Sequence, residues 1–124
     1  MTAKKVNCTI LLAEDDADIL EIITIVLSTN GYNVVSVSDG SEVQQQFKNH
    51  KPKLVFLDLW MPGMNGKEVA KSLKSNAATK HIPVVLISAH ASLKQVAQEV
   101  GADSFLPKPF EIDDLVKLAK QYCK

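Results

Sequence analysis

Short apolar runs alternate with longer amphipathic patterns along the whole chain. The runs that have the character of β-strands fall at residues 8–13, 32–37, 53–58, 82–88 and 103–106. The segments between them have apolar residues at helical spacing, at about 16–30, 41–50, 65–75, 92–100 and from 111 to the C-terminus. Gly31 and Gly101 follow the first and the fourth of these segments, and glycine commonly stands just after the end of a helix.

Two of the predicted strands are apolar at every interior position. Residues 54–57 and 84–87 show no alternation of polar and apolar side chains, which is typical of strands covered on both faces in a parallel sheet. Strands that alternate with helices indicate βαβ units with right-handed crossovers. The pattern therefore predicts an α/β fold, a doubly wound five-stranded parallel sheet with five helices. The length of 124 residues is that of one domain, expected to span residues 1–124.

Composition and charge argue against several classes of function. The formal net charge is zero and all 14 basic residues are lysine, so nothing suggests long-range attraction to nucleic acid or to an anionic membrane. The absence of arginine weakens a DNA-reading hypothesis, because arginine makes the commonest specific base contacts. No apolar run approaches the length of a membrane span, and the N-terminal residues do not form a signal peptide.

The two cysteines, Cys8 and Cys123, lie at opposite ends of the chain. Disulfides are rare in cytosolic proteins, and the sequence offers no sign that these two residues meet. The favoured interpretation is therefore two reduced thiols in a cytoplasmic protein.

Chemically active side chains follow the carboxyl ends of four predicted strands. They are Glu14, Asp15 and Asp16 after the first strand, Asp58 at the end of the third, Ser88 at the end of the fourth and Lys108 after the fifth. In such sheets ligands bind beyond the carboxyl ends of the strands, so these side chains are expected to converge.

The chemistry of this set favours phosphoryl transfer. Clustered carboxylates repel one another, and either raised pKa values or a bound cation relieves the repulsion. Mg²⁺ takes one or two carboxylates and leaves room for a phosphate, while a lysine ammonium and a serine hydroxyl suit phosphate oxygens. An aspartate can itself be the nucleophile, and catalysis is then mostly positioning and charge neutralisation.

Each residue alone also has a plain structural interpretation. The three acids after the first strand could simply begin a helix, whose N-terminus favours negative charge. Ser88 could satisfy backbone groups at a strand end, and Lys108 could be a solvated lysine. The four residue types at one edge of the sheet, in this order, favour a functional site.

The sequence contains four motifs along the chain: ILLAEDD, LVFLDLWMPGMNG, VVLISA and GADSFLPKPF. Their order and spacing match those of a known family. Together they resemble a response-regulator receiver domain, the family that includes the chemotaxis response regulators, over essentially the whole chain. The resemblance implies a flavodoxin-like strand order 2-1-3-4-5. It also implies that Asp58 accepts a phosphoryl group from a phosphohistidine on a sensor histidine kinase or a histidine phosphotransfer protein.

The resemblance further implies a Mg²⁺ site and a phosphate-binding pair. Asp15 and Asp58 would bind Mg²⁺ directly, Glu14 would bind it through water, and the backbone carbonyl of Trp60 would complete the protein ligands. Ser88 and Lys108 would contact the phosphoryl group, and the bond from Lys108 to Pro109 would be cis.

A conformational switch is implied by the same resemblance. Phosphorylation would draw Ser88 inward, Phe105 would turn into the vacated space, and the face of the fourth helix, fifth strand and fifth helix would change to control a downstream protein. Without the resemblance, Phe105 would be interpreted as a core aromatic. The domain is expected to be a phosphoacceptor rather than an enzyme, with Mg²⁺-dependent self-phosphorylation and self-dephosphorylation only.

Three further hypotheses concern individual residues in or near the site. Trp60 is bulky for the rim of the site, and with His90 it could slow dephosphorylation by screening water, although a surface tryptophan awaiting a partner fits equally. The first helix is apolar around more than half its circumference, so Ile19 and Ile22 could dock the donor's helices. Asp15→Asn is expected to stabilise the metal-free protein by relieving repulsion.

The sequence alone leaves two rival functions and the assembly state open. A Mg²⁺-dependent phosphatase with an aspartyl nucleophile commonly has a second acid two residues later, where this chain has Trp60. A flavodoxin-like FMN binder would need a phosphate-cradling loop after the first strand, where this chain has three acids. A monomer is expected, with a phosphorylation-dependent dimer as the alternative, and the pattern favours a stand-alone receiver over a fragment of a longer regulator.

Overall fold

The computed structural model describes residues 8–61 and 63–123. Its strands are Thr9–Ala13 (β1), Asn33–Val37 (β2), Leu54–Asp58 (β3), Trp60–Met61 (β4), Met64–Asn65 (β5), Val84–Ser88 (β6) and Ser104–Pro107 (β7). Its α-helices are Ala17–Thr29 (α1), Val43–His50 (α2), Gly66–Ser75 (α3), Leu93–Val100 (α4) and Ile112–Tyr122 (α5). A short 3₁₀ turn, Gly40–Glu42, precedes α2.

The main sheet is parallel with the order β2-β1-β3-β6-β7. This is the predicted order 2-1-3-4-5, since β4 and β5 pair only with each other in an antiparallel hairpin. The sequence pattern did not predict that hairpin, because two-residue strands leave no periodicity. The predicted doubly wound fold is confirmed.

Helices cover both faces of the sheet. One apolar cluster joins the sheet to α2, α3 and α4, and the other joins it to α1 and α5. Every residue of β3 and of β6 is buried, as their uninterrupted apolar runs indicated. Within the described residues, no helix combines the length and the apolar character needed to cross a bilayer.

Local sequence signals position the loops that carry the site. Asp16 caps α1, with its side chain accepting hydrogen bonds from the backbone N–H groups of Asp18 and Ile19. Gly66 begins α3 against the backbone of Leu59, where an added Cβ would lie 2.5 Å from the carbonyl oxygen. Only glycine fits this close approach, which fixes the start of α3 against the residue after Asp58.

The prediction of two reduced thiols is wrong. Cys8 and Cys123 form a disulfide, with their Cα atoms 5.9 Å apart and both side chains buried. The pairing follows from topology, because every parallel strand begins at the same edge of the sheet and α5 returns the chain to that edge beside α1. The cysteines therefore no longer support a reducing compartment.

Candidate functional site

The predicted site residues converge at the carboxyl edge of the sheet. Asp58 is the last residue of β3 and Ser88 the last of β6, while Glu14 directly follows β1 and Lys108 follows β7. The backbone N–H of Lys108 donates to the carbonyl of Ser88 at 2.9 Å, which fixes the end of β7 against β6. The bond from Lys108 to Pro109 is cis, as the family resemblance implied.

Lys108 lies between two buried carboxylates. Its Nζ is 2.9 Å from Asp58 Oδ2 and 2.6 Å from Glu14 Oε1. Glu14 is fully buried and Asp58 is 3% exposed, so each carboxylate would be costly without an opposite charge. An acid can therefore end the apolar strand β3 because a cation is held beside it.

Both oxygens of Asp58 have partners. Oδ2 accepts from Lys108, and Oδ1 accepts from the backbone N–H of Trp60 at 3.0 Å. The Trp60 bond joins the carboxylate to the β4–β5 hairpin, and the Lys108 bond joins it to the end of β7. The carboxylate is thereby held in one orientation at the mouth of the site.

The acidic residues fit a divalent cation. Glu14, Asp15 and Asp58 each offer a carboxylate oxygen, and these atoms lie within 4.8 Å of one another. Glu14 Oε1 is buried and, apart from its ion pair with Lys108, accepts no hydrogen bond of proper geometry. Oxygen donors of this kind, with an exposed approach past Asp15, suit Mg²⁺.

The protonation of this cluster is unusual. Burial, followed by the nearby Asp58 carboxylate, raises the pKa of Glu14 to about 7, against the opposing effect of Lys108. Burial lowers the pKa of Lys108, but the neighbouring Glu14 and Asp58 carboxylates outweigh it and leave that pKa above its ordinary value. The lysine therefore stays charged, and Glu14 of the metal-free cluster gains or loses its proton near neutral pH.

The comparisons with known proteins agree with this geometry. The family model of the response regulator receiver domain matches residues 10–120. A putative response regulator from Chloroflexus aurantiacus J-10-fl superposes with a TM-score of 0.87 at 30% identity, over 97% of this chain and 98% of that one.

The chain belongs to the response regulator receiver domain family.

Two groups of relatives place the domain in context. It is 36% identical over 109 residues to the DNA-binding response regulator MtrA of Mycobacterium tuberculosis (strain ATCC 25618 / H37Rv), covering 86% of this chain and 46% of the relative. The chemotaxis response regulator CheY4 of Vibrio cholerae has a TM-score of 0.83 at 25% identity, over 98% of this chain and 99% of that one. The receiver domain therefore spans about half the length of the curated relatives it matches, but nearly all of CheY4.

The raised pKa of Glu14 predicts how stability changes with pH. The folded protein binds this proton more tightly than the unfolded chain, so the free energy of unfolding falls as pH rises from the ordinary value of 4.5 to about 7. Between about pH 6 and about pH 8, the metal-free protein should lose about 1 kcal/mol. Urea unfolding in EDTA at both pH values measures the loss.

Glu14→Gln is the matched control for that loss, because it removes the titrating group and keeps the shape. The variant should show a loss smaller by about 1 kcal/mol over the same range, because the raised pKa of Glu14 no longer contributes. Equal losses in the wild type and the variant would show that Glu14 is not the group responsible.

The two switch candidates lie where the site meets α4. Ser88 is buried, and its Oγ accepts from the backbone N–H of His90 at 3.0 Å. Phe105 is partly buried and packs against the apolar cluster that includes α4. Their role in a switch stays a prediction, since they are described in one conformation.

Trp60 is exposed at the surface beside His90. Its side chain is 66% exposed, and its ring centroid lies 5.9 Å from that of His90. The Nδ1 atom of His90 accepts from the backbone N–H of Ser92, and this hydrogen bond holds the turn before α4. The proposed effect of Trp60 on phosphoryl lifetime, and its carbonyl as a metal ligand, stay predictions.

An apolar groove of about 420 Å³ opens beside Lys108. Its lining residues are Ile19, Ile22, Ile23, Ala89, Lys108, Pro109, Phe110 and Ile112. Ile22 is 52% exposed, whereas Ile19 is partly buried and packs against the core. The sequence had singled out both isoleucines but missed Phe110, whose only signal was its place directly after the Lys-Pro pair.

Proposed function

We propose that this receiver domain accepts a phosphoryl group on Asp58 from a phosphohistidine donor, with Mg²⁺ as cofactor. The observation that carries the proposal is the Lys108 ammonium held between the buried carboxylates of Asp58 and Glu14, with Asp15 close enough to complete a cation site. In the reaction an Asp58 oxygen attacks phosphorus and forms an acyl phosphate. The phosphorus–nitrogen bond of the donor breaks, and the imidazole leaves with a proton from solvent.

Glu14, Asp15 and Asp58 would hold the Mg²⁺ ion, which supplies positive charge for the phosphoryl oxygens. Lys108 adds a second cation from the other side of Asp58 and stays protonated at neutral pH. Ser88 Oγ already accepts from His90, so its own proton is available to donate to a phosphoryl oxygen. These residues would position the phosphoryl group and neutralise its charge. Apart from its own phosphorylation and dephosphorylation, the domain catalyses no reaction on a free substrate.

The output is proposed to pass through the face of α4, β7 and α5. Ser88 ends β6 and Lys108 follows β7, while Phe105 lies on β7 and packs against the apolar cluster that includes α4. A movement of Ser88 toward the phosphoryl group would change the packing of Phe105 and thereby the surface offered to a downstream protein. We propose that the protein acts in the cytoplasm as a monomer, with a phosphorylation-dependent dimer as the alternative, and that it binds neither nucleic acid nor a membrane directly.

Mg²⁺ binding should be visible in the fluorescence of Trp60, the single tryptophan of the chain. Its backbone is bonded to Asp58, so an ion at that carboxylate should change the surroundings of its ring. A Mg²⁺ titration should give a saturable signal, weakened about tenfold or more by Asp15→Asn. Asp18→Asn, which removes a nearby exposed acid, is the control and should bind like the wild type. Equal affinities for the two variants would argue against the proposed ligand set.

The donor is proposed to dock in the apolar groove that contains Ile22. Ile22→Lys should slow phosphotransfer from a phosphohistidine donor about tenfold or more, because a charge would enter an apolar contact. Ile25→Lys is the matched control, since Ile25 is equally exposed on α1 at 56% and does not line the groove. Phosphorylation by acetyl phosphate should be unchanged in both variants, and equal donor rates for both would reject this docking surface.

A further inference from the structure

A second groove lies at the opposite edge of the sheet from Asp58. It has a volume of about 490 Å³ and is bounded by the segments that precede β3 and β6 and by the end of α2. Its lining residues are Phe47, Lys48, Lys51, Pro52, Lys53, Ala78, Thr79, His81 and Ile82. The groove therefore has an apolar floor with basic side chains and a histidine among its walls.

Positive charge is concentrated around this groove although the chain as a whole is neutral. Three lysines line it and no acidic residue does. Lys48 and Lys51 are exposed, and neither has an ion-pair partner among residues 8–61 and 63–123. The nearby Lys74, by contrast, is paired with Asp103 at 2.8 Å. Lys48 and Lys51 thus give the groove a local cationic surface that no acidic lining residue offsets.

Lys51 occupies an unfavourable backbone position. Its φ is 47°, and it is the only non-glycine residue with positive φ in the described part of the chain. It stands at the C-terminal cap of α2, where glycine is the usual residue because it adopts this conformation without strain. A lysine in the last turn of a helix, such as Lys48, is favoured by the negative end of the helix dipole. That effect does not explain why a lysine occupies the strained cap position of Lys51.

We infer that this groove docks an acidic peptide segment of a partner protein, with an apolar side chain of that segment on the floor formed by Phe47, Pro52 and Ile82. The lysines around the floor would pair with carboxylates on either side of the anchor. This surface goes beyond the proposed phosphoacceptor function, and neither its residues nor its test involves Asp58.

Other anionic ligands fit the groove less well. The α2 helix ends at this edge, so its free carbonyls rather than N–H groups face a ligand, which disfavours a compact phosphate on the floor. Phe47 is only 8% exposed, which leaves enough surface for contact with a small apolar side chain but too little for a nucleobase to stack on its ring. A membrane surface also fits poorly, because the exposed large apolar residues do not line this groove and could not anchor it in a bilayer. These residues are Ile22, Ile25 and Trp60.

The test uses fluorescence anisotropy with a short labelled peptide, a leucine–phenylalanine pair flanked by glutamates. The wild type should bind it, and Lys48→Glu/Lys51→Glu should bind about tenfold or more weakly. Lys94→Glu/Lys117→Glu changes the net charge equally at exposed lysines outside the groove and should bind like the wild type. A peptide with serines in place of the apolar pair should bind weakly to all variants.

Lys51→Gly separates binding from folding. It should raise the urea midpoint, because glycine adopts the positive φ without strain, and yet weaken peptide binding. The inference is overturned if both double variants lose binding equally. It is also overturned if Lys51→Gly binds as well as the wild type, or if an oligouridylate or phosphatidylglycerol vesicles compete as strongly as the peptide.

Discussion

Lys108→Met is expected to destabilise the metal-free protein by about 3 kcal/mol, since it leaves two buried carboxylates without their cation. The Lys108 side chain is 20% exposed, whereas those of Glu14 and Asp58 are 0% and 5% exposed. Methionine keeps most of the side-chain volume, so the loss should come from charge rather than from packing. Urea unfolding at about pH 8 in EDTA measures the effect, since Glu14 of the wild type is then mostly ionised.

A double-mutant cycle separates this electrostatic loss from any packing defect. In a Glu14→Gln/Asp58→Asn background the carboxylates are gone, and adding Lys108→Met should then cost less than about 1 kcal/mol. Similar costs in both backgrounds would mean that Lys108 stabilises the fold through its methylene chain, and that the charge cluster is not what holds the site together.

The sequence could predict the fold because its strongest signals are local. The uninterrupted apolar runs of β3 and β6 are buried along their full length, and the predicted helix boundaries lie within two residues of those observed. The convergence of Asp58 and Lys108 was also predictable, since parallel strands place their carboxyl ends at one edge. Strand order and chemistry at strand ends together specify the site's location.

The features that the sequence could not predict depend on tertiary distances. Cys8 and Cys123 are 115 residues apart in sequence, and their disulfide follows from where α5 returns the chain. The complete burial of Glu14, which raises its pKa, likewise depends on how the loops close over it. Asp16 had been grouped with the site residues, but it caps α1, which was the alternative interpretation of the three acids.

Asp58→Asn is expected to abolish phosphorylation rather than slow it. Among the acids of the site, Asp58 alone combines a hydrogen bond from the Trp60 backbone with an ion pair to Lys108 at the mouth. Glu14 is fully buried, so an incoming phosphoryl donor reaches it less easily than it reaches Asp58 at the mouth. Asparagine keeps the shape of Asp58 but has no carboxylate to form an acyl phosphate, so no second residue should take over.

The most direct measurement of this account is intact-protein mass after incubation with acetyl phosphate, with Mg²⁺ or with EDTA, for the wild type, Asp58→Asn and the exposed-acid control Asp18→Asn. We predict one added phosphoryl group on the wild type and on Asp18→Asn, only with Mg²⁺, and none on Asp58→Asn. No addition to the wild type in either condition, or an addition that persists in Asp58→Asn, would contradict the assignment of Asp58 as the phosphoacceptor.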